Sequence, residues 1–499
     1  MSTNSPVFTP SNNQGLVRGL VQGLALNQTL VSALRATIVR MREQRTIVDG
    51  VDFGKVFQFQ HLFGAIGSSM QPGRMILGLC MVLILFAGGR IWDSVSGDDA
   101  RAYMGTVSAE ELSQARSLAI AKSATALSND APEGSEHWTV AVAQANLLEA
   151  WEDYLFEGDV NALERAEFED IYASLERVRT QGPFEASALF IASSWNSIVD
   201  GALHFEPVQM WQGVVAIVWE LPQLIWNAGF HWFITLYGLL FVYVLCIGGG
   251  AISRMQAVQH ARGQRISIPE ALEFSTSRWR SLFEAVLGPA MVVAFFSVLL
   301  MVLGLVLLNV PWLNIVGGLL YGIFLVCGLV ISLVAVGYCV CFPILIPSVV
   351  IEHCSGSEAV QRSFAYLVSK TLYFIGYLAL LIIAMVFGYI VVRLITNLTL
   401  DATAGLVGAW TFNQSLVGAG SMSEHAIPTF GGAWYETSAS WFVTFWETIV
   451  HDFMIGWICS GFFSVSTTMY LLMRKNCDGQ DTRDIWWHGV EQGTAIPKD

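Results

Sequence analysis

Long apolar runs alternate with polar segments along the chain, and six of these runs are long enough to cross a membrane as helices. A helix of about 20 apolar residues spans the roughly 30 Å hydrocarbon core of a bilayer. The runs are not built from alternating ten-residue strands, which membrane β-barrels require. The pattern therefore predicts an all-α fold, a polytopic transmembrane helix bundle with six spans. The predicted spans are residues 75–89, 233–252, 285–310, 319–342, 371–392 and 453–473.

The fourth span lies in an uncharged stretch, residues 313–346, that would form a helix of about 50 Å if it were continuous. Proline lacks a backbone N–H and usually ends or kinks a helix. We therefore expect Gly317-Gly318 to trim this span at its start, and Pro343 and Pro347 to end it.

Composition supports a membrane protein, and charge gives its orientation. The chain is 54% hydrophobic and only 13% charged, whereas soluble chains carry about 25% charged residues. With the N-terminus inside, the inner segments hold 18 of the 26 Lys and Arg residues. Basic residues concentrate on the cytoplasmic side of membrane proteins, so we expect N-in, C-in topology in the cytoplasmic (inner) membrane. The net charge of −14 then belongs to the outer side and indicates no nucleic-acid partner.

The same pattern divides the chain into six parts. Four of the parts are a cytoplasmic N-terminal segment, a first span, an outer interfacial helix and a cytoplasmic tail. The two largest parts are an acidic, helical extracytoplasmic insertion domain and a five-span membrane domain. In chain order the predicted bounds are 1–74, 75–92, 93–206 (insertion domain), 207–230 (interfacial helix), 231–475 (five-span domain) and 476–499.

Two segments are predicted as amphipathic helices at the membrane surface. Residues 14–45 combine leucines at helical spacing with five arginines, which is typical of a helix on an anionic inner leaflet. A cytosolic helix packed on its own protein explains the pattern equally well. Residues 207–230 space three tryptophans by eight and seven but contain Glu220 and Pro222. Because Trp favours the headgroup region, an outer interfacial helix is preferred over a seventh span.

A short repeat marks the inner side of the five-span domain. The stretches "SIPEALEFS" (267–275) and "SGSEAVQRS" (355–363) share Ser, Glu, Ala and a second Ser at the same spacing. Ser-x-x-Glu is a capping box that starts a helix. The repeat predicts two parallel copies of a unit made of a span, an interfacial helix and a span, an arrangement that some transporters use. For the second helix, Val360, Phe364, Leu367 and Val368 are the expected apolar stripe.

The same stretch carries a family resemblance. Pro347, Glu352, Gly356, Glu358-Ala359 and Arg362-Ser363 lie between two spans, and "YLLMRKNCDGQD" closes the last one. This pattern resembles the membrane domain of the glycerophosphoryl diester phosphodiesterase family and of similar uncharacterised bacterial multipass proteins, over roughly residues 231–485. The chain departs from that family in its long N-terminal segment and its inserted domain, and no phosphodiesterase barrel accompanies the pattern. The resemblance therefore implies a membrane domain and not the enzymatic activity.

The sequence contains few groups that could carry chemistry. It has no Walker loop, no His-Glu-x-x-His and no Gly-x-Ser-x-Gly motif. The six spans as bounded above contain no Asp, Glu, Lys, Arg or His, which argues against a proton-coupled transporter. We expect no catalytic residue, no cofactor and no metal.

Two polar clusters remain as candidates. Glu352 and Arg362 are expected to pair at the inner surface, and a structural hinge and cap explains this cluster better than a site does. Glu447, His451 and Asp452 could form a metal pair or proton relay, since Glu447 and His451 share a helix face. We expect instead that this group lies at the outer surface, where water solvates it.

These observations favour a non-enzymatic integral membrane protein that acts as a scaffold or lipid-associated accessory factor. Its expected partners are the lipid bilayer, anionic lipids at the inner face, and proteins that bind the outer domain. The alternative is a transporter or lipid translocator for a neutral or lipid-like substrate. A lipid-modifying enzyme is the weakest hypothesis, since no nucleophile, acid–base pair or metal cluster stands out.

Overall fold

A computed structural model of the protein describes residues 60–96, 109–127, 138–157, 165–179, 181–408 and 434–487. These residues form helices joined by short connections. The first eight helices are α1 (Gln60–Ser69), α2 (Pro72–Ser96), α3 (Ala109–Leu127), α4 (Val140–Glu157), α5 (Arg165–Val178), α6 (Pro183–Leu203), α7 (Pro207–Val215) and α8 (Leu221–Asn227). The others are α9 (His231–Arg262), α10 (Ile268–Ser277), α11 (Trp279–Asn309), α12 (Leu313–Glu352), α13 (Gly356–Ser369), α14 (Thr371–Gly408) and α15 (Trp434–Asp478).

Six of these helices are long and apolar enough to cross a membrane: α2, α9, α11, α12, α14 and α15. Each coincides with one of the six predicted spans, so the all-α class and the six candidate spans are confirmed. Five of the helices contain their predicted span in full, and α11 ends at Asn309, one residue before the predicted bound. The last predicted span, residues 453–473, lies inside the 45-residue helix α15. Apolarity marks the part of a helix that suits lipid, whereas the helix itself continues as long as its backbone hydrogen bonds and packing permit.

Helix α12 overturns the prediction that proline ends the fourth span. It runs unbroken for 40 residues, with Pro343 and Pro347 inside it and Gly317 and Gly318 near its start. Prolines are tolerated within membrane helices where neighbouring groups compensate for the lost hydrogen bonds. Residues 343–351 are all buried, and α12 packs against α9, α11, α13 and α15. This close packing on several sides holds the proline-containing segment in helical form.

Small residues let the helices of the bundle approach closely. A Cβ atom on Gly78 of α2 would lie 2.2 Å from the carbonyl oxygen of Gly456 of α15, so the two backbones touch where these helices cross. The triple glycine of α9 acts in three directions, since added Cβ atoms on Gly248, Gly249 and Gly250 would meet Met81 of α2, Phe463 of α15 and Ser275 of α10, respectively. These three glycines therefore let α9 pack closely against α2, α15 and α10.

The predicted repeat is visible as two successions of a long helix, a short helix and a long helix, namely α9–α10–α11 and α12–α13–α14. Both short helices begin at the predicted serine. Ser267 Oγ accepts from the Glu270 amide at 3.4 Å, and Ser355 Oγ accepts from the Glu358 amide at 3.3 Å. The serine half of each capping box is thus confirmed. Val368, a member of the predicted apolar stripe of α13, is 77% exposed.

The predicted insertion domain is helical where it is described, as expected. Helices α3, α4 and α5 share a small core that includes Leu147, Phe168 and Ile171. Helix α6 begins beside the end of α2, where the Asp93 carboxylate accepts from the amides of Phe184 (2.9 Å) and Glu185 (3.0 Å). Asp93 thereby caps α6 from a different helix and joins the predicted insertion domain to the first span.

Two predicted surface helices have different outcomes. Residues 207–227 form α7, a π-helical turn (Ala216–Glu220) and α8, so the predicted helix exists and contains a π-helical turn just before Pro222. The predicted amphipathic helix of residues 14–45 lies outside the described residues. Helix α1, which the sequence did not predict, packs against α14 and α15 and buries Leu62, Ala65 and Ile66.

The helices α11 and α12 form a hairpin that stands apart from the rest of the bundle. In the most apolar 18-residue window of each of these two helices no residue is buried, whereas between 33% and 44% of the corresponding windows is buried in the other four long helices. The buried residues of α11 all lie at its start, from Leu282 to Pro289. Most of the hairpin thus contacts only its own two helices and the surrounding medium.

The glycine crossing gives a testable prediction. Gly78→Ala should destabilise the protein by about 1–3 kcal/mol, since the added methyl group overpacks the α2–α15 contact. Gly238→Ala in α9 is the matched control, because nothing lies within 4 Å of its Cβ position and alanine favours a helix. Thermal unfolding of both variants in detergent measures the difference. Equal stability of the two variants would show that the helices do not touch at Gly78.

Candidate functional site

The best-defined polar site lies where α12 ends. Glu352 is the last residue of α12, and His353 takes a left-handed conformation (φ 55°) while its N–H donates to the Val349 carbonyl at 2.9 Å. This geometry ends the helix and turns the chain towards Ser355, which caps α13. The Glu352 side chain points into the protein and is only 3% exposed.

Three other side chains surround the Glu352 carboxylate. Arg474 of α15 donates from Nη1 to Oε1 at 2.6 Å, and Arg362 of α13 lies 3.2 Å from Oε2 through its Nη1. The Tyr470 hydroxyl of α15 donates to Oε1 at 3.4 Å. One carboxylate therefore joins three helices, and each of its oxygens faces a guanidinium.

Arg474 is the partner that the sequence analysis did not identify. Its side chain is 1% exposed, and its Nη2 donates to the backbone carbonyls of Asp481, at 3.0 Å, and Asp484. In the sequence Arg474 follows an apolar span and counts as one more inner basic residue. Its burial depends on residues 479–487, which fold back over the end of α15, and no local pattern announces that fold.

The predicted Glu352–Arg362 pair is confirmed, but its predicted exposure is wrong. Burial of a carboxylate is costly unless charged partners compensate it, and here two arginines do so. Arg362 also contacts Glu358 at 3.0 Å, and that pair is largely exposed. Burial would lower the pKa of Arg362, but the Glu352 carboxylate and the hydrogen bond with Glu358 outweigh it, so the pKa is raised. Arg362 thus stays protonated and keeps Glu352 compensated.

Next to this centre, the loop after α12 is held by arginines from the first repeat unit. Arg278 donates to the backbone carbonyls of His353 and, at 3.2 Å, Cys354. Burial lowers the pKa of His353 to about 4, with help from the charges of Arg278 and Arg254. Burial also raises the pKa of the Cys354 thiol to about 11. Both groups are therefore neutral at physiological pH.

A second buried arginine has no carboxylate partner among the described residues. Arg74, at the start of α2, is 1% exposed. It donates to the Ser68 carbonyl at 2.8 Å and to the side-chain oxygens of Gln256, at 2.5 Å, and Gln259. Gln256 in turn donates to the Thr468 hydroxyl at 3.1 Å. This network joins α1, α2, α9 and α15 with neutral acceptors only.

The predicted outer group does not assemble as a site in the structure. Glu447, His451 and Asp452 all lie on α15. Glu447 is half-buried and His451 is exposed. Asp452 is only 6% exposed, so the expectation that water solvates the whole group is wrong for Asp452. Helix α15 turns this side chain towards the bundle, away from its neighbour. Within the described ranges, no three His, Cys, Asp or Glu residues are arranged to hold a metal ion.

The helices are longer than the predicted spans, and their additional residues include charged ones. The predicted spans contain no Asp, Glu, Lys, Arg or His, but Arg254, Glu352 and Arg474 lie on the same helices beyond those bounds and are buried there. Their charges are used in contacts between helices. The arrangement can therefore stabilise the packing of these helices against one another, and a nucleophile with an adjacent base is not part of it.

The contacts of Glu352 predict that its replacement lowers the stability of the protein much more than replacement of Glu358 does. Glu352→Gln should destabilise the protein by about 3–5 kcal/mol, because two arginines lose their buried counter-charge. Glu358→Gln, which affects the exposed pair with the same arginine, should cost less than about 1 kcal/mol. Thermal unfolding in detergent at one pH compares them. Equal losses would mean that the Glu352 carboxylate does not act as a buried counter-ion.

A second prediction concerns pH. His353 has a folded-state pKa near 4 and an unfolded value near 6.5, so between these values the unfolded chain binds a proton that the folded protein does not. Stability should therefore fall as the pH is lowered from about 6.5 to 4. His353→Asn, which tolerates the left-handed backbone, should reduce this slope. An unchanged slope in the variant would assign the pH dependence to other groups.

Comparison of the chain with protein-family models, with curated proteins and with solved structures gives no match.

Proposed function

We propose that the protein is a non-enzymatic scaffold or lipid-associated accessory factor of the cytoplasmic membrane, oriented with both termini inside. The observation that carries this proposal is the exposure of the α11–α12 hairpin. Two membrane-length helices bury no residue of their most apolar windows within the chain, although both are anchored at their inner ends. Such a hairpin offers a large apolar surface to other molecules within the membrane.

The inner side of the molecule supports the same proposal. The charged residues near the ends of α12, α13 and α15 are paired with one another, so their interactions hold helices together. A rigid inner end with an exposed hairpin suits a protein that presents a surface. Large exposed apolar surfaces commonly mark sites of protein or membrane interaction. The resemblance to the phosphodiesterase membrane domain is compatible with this role, because it implies no catalytic residue.

A second candidate function is translocation of a neutral or lipid-like substrate. One observation favours it. Helices α9 and α15 bury Ser253, Gln256, Ser464 and Ser466, and the hydroxyls of these three serines have no hydrogen-bond partner in the described part of the chain. Unsatisfied buried hydroxyls are uncommon and would suit a polar group that passes between the helices.

Site-specific crosslinking separates the two functions. Photoreactive residues at Phe295, Leu325 and Leu333 of the hairpin should capture one partner protein in stoichiometric amount. Probes at Leu236 and Leu394, which are also exposed but lie on other spans, are the matched controls. Each adduct is identified by mass spectrometry after native purification.

The outcomes are distinct. Capture of the same protein at hairpin positions and not at the control positions supports the scaffold. Equal capture of bulk lipid at all five positions contradicts it. Enrichment of a single lipid species, lost in a Ser253→Ala and Ser464→Ala double variant, would support translocation instead.

A further inference from the structure

The chain turns back on itself after the last helix and covers the inner ends of its neighbours. Gly479, directly after α15, has a left-handed conformation (φ 68°) that favours glycine. Its N–H donates to the Lys475 carbonyl at 3.1 Å, which closes the helix. Residues 479–487, here named the C-terminal strap, then run across the inner face. Asp484 and Ile485 are buried within the strap, so the segment is packed against the protein.

Hydrogen bonds to backbone groups of the strap attach it to three helices. Arg474 of α15 donates to its carbonyls at Asp481 and Asp484. The Trp486 N–H donates to the Ile351 carbonyl of α12 at 3.0 Å, and the Trp486 carbonyl accepts from Arg254 of α9, also at 3.0 Å. Trp486 is therefore the residue at which the first and second repeat units are joined.

Aromatic rings strengthen the same junction. The His353 ring stacks on Trp486 with centroids 3.8 Å apart and planes 8° from parallel. The Arg254 guanidinium lies over the rings of Phe274 (4.4 Å) and Trp487 (5.3 Å). Arg262 lies 4.1 Å from the Trp487 ring. Such cation–π contacts are favourable where the ring and cation are partly desolvated. The strap thus fills the space between α9, α10 and the end of α12.

We propose that the C-terminal strap is a releasable latch that holds the α9–α10 unit against the end of α12 and closes the inner face. It is attached to these helices by one backbone hydrogen bond to Ile351, one hydrogen bond from the Arg254 side chain and ring contacts, and the glycine at 479 provides a turn about which it can swing. Its polar contacts are also incomplete, because Asp484 Oδ1 and Arg474 Nε are buried without a hydrogen-bond partner in the described part of the protein. The latch is independent of whether the protein acts as a scaffold or a translocator.

A native cysteine reports whether the latch is closed. Cys354 is 8% exposed and follows His353, on which Trp486 stacks. Its Sγ contacts the Ser348 carbonyl at 3.8 Å. A buried, neutral thiol reacts slowly with maleimide, because the thiolate is the nucleophile. Release of the strap removes the ring next to this residue and should admit the reagent.

The first experiment compares tryptophan variants of the full-length protein in detergent. Trp486→Ala should raise the rate of Cys354 alkylation at least about tenfold, as measured by peptide mass spectrometry. Trp232→Ala is the matched control, since Trp232 is 74% exposed at the far end of α9, and it should leave the rate unchanged. Folded Trp486→Ala protein with the native alkylation rate would overturn the proposal.

The second experiment needs no substitution, and it holds even if Trp486→Ala fails to fold. Hydrogen exchange of the native protein should show the Trp486 amide protected relative to an unstructured peptide, because it is bonded to Ile351. It should nevertheless exchange faster than the amides of residues 343–351 in the core of α12, because a latch opens locally. Exchange without protection would show that the strap is not closed. Exchange as slow as that of α12 would show that it is a fixed part of the core. Either result overturns the latch.

Discussion

The contact of the buried Glu352 carboxylate with two arginines is the interaction on which the meeting of α12, α13 and α15 depends. A lone carboxylate in a low-dielectric interior is costly, whereas one that faces two guanidinium groups is compensated. Because Arg362 and Arg474 come from different helices, the compensation requires the end of α12, the middle of α13 and the last turns of α15 to lie together. Arg474 Nη2 also donates to the carbonyls of Asp481 and Asp484 in residues 479–487. One ionic contact therefore specifies where three helices and the chain after α15 meet.

The two halves of the bundle are held by different forces. In the buried part of the bundle, glycine crossings bring backbones together and charged side chains pair, and the longest buried runs are 246–258 of α9, 463–474 of α15 and 343–351 of α12. Beyond these segments α11 and α12 contact mainly each other. Without a hydrophobic drive between helices in lipid, close packing and polar contacts decide which helices associate. The hairpin has few of either in its exposed stretch, since Gly304, Gly322 and Gly328 have nothing within 4 Å of their Cβ positions.

The parts of this fold that the sequence predicts are those set by local rules. Apolar length reveals the six long helices, and the Ser-x-x-Glu pattern places the first turns of α10 and α13. Proline misleads at α12, because its local preference to end a helix is outweighed by contacts on several sides. Arg474 and Arg74 are missed because burial of an arginine depends on partners far along the chain, such as Glu352 and Gln256. Asp452 is misjudged since its side chain faces the bundle, a direction that the residues flanking it do not encode.

Few charged residues lie on the long helices, but those that are buried take part in contacts between helices. Apolar spans without ionisable residues suggest a molecule that has no polar interior, yet Arg74, Gln256 and Thr468 form a buried network across α2, α9 and α15. That network uses neutral acceptors, so it joins helices without providing a carboxylate that could exchange a proton. The paired charges at Glu352 are equally committed to structure. Among the described residues, the exposed apolar hairpin and the junction at Trp486 are not part of these networks. They lie on different parts of the fold, so the proposed binding within the membrane and the proposed latch are physically separate.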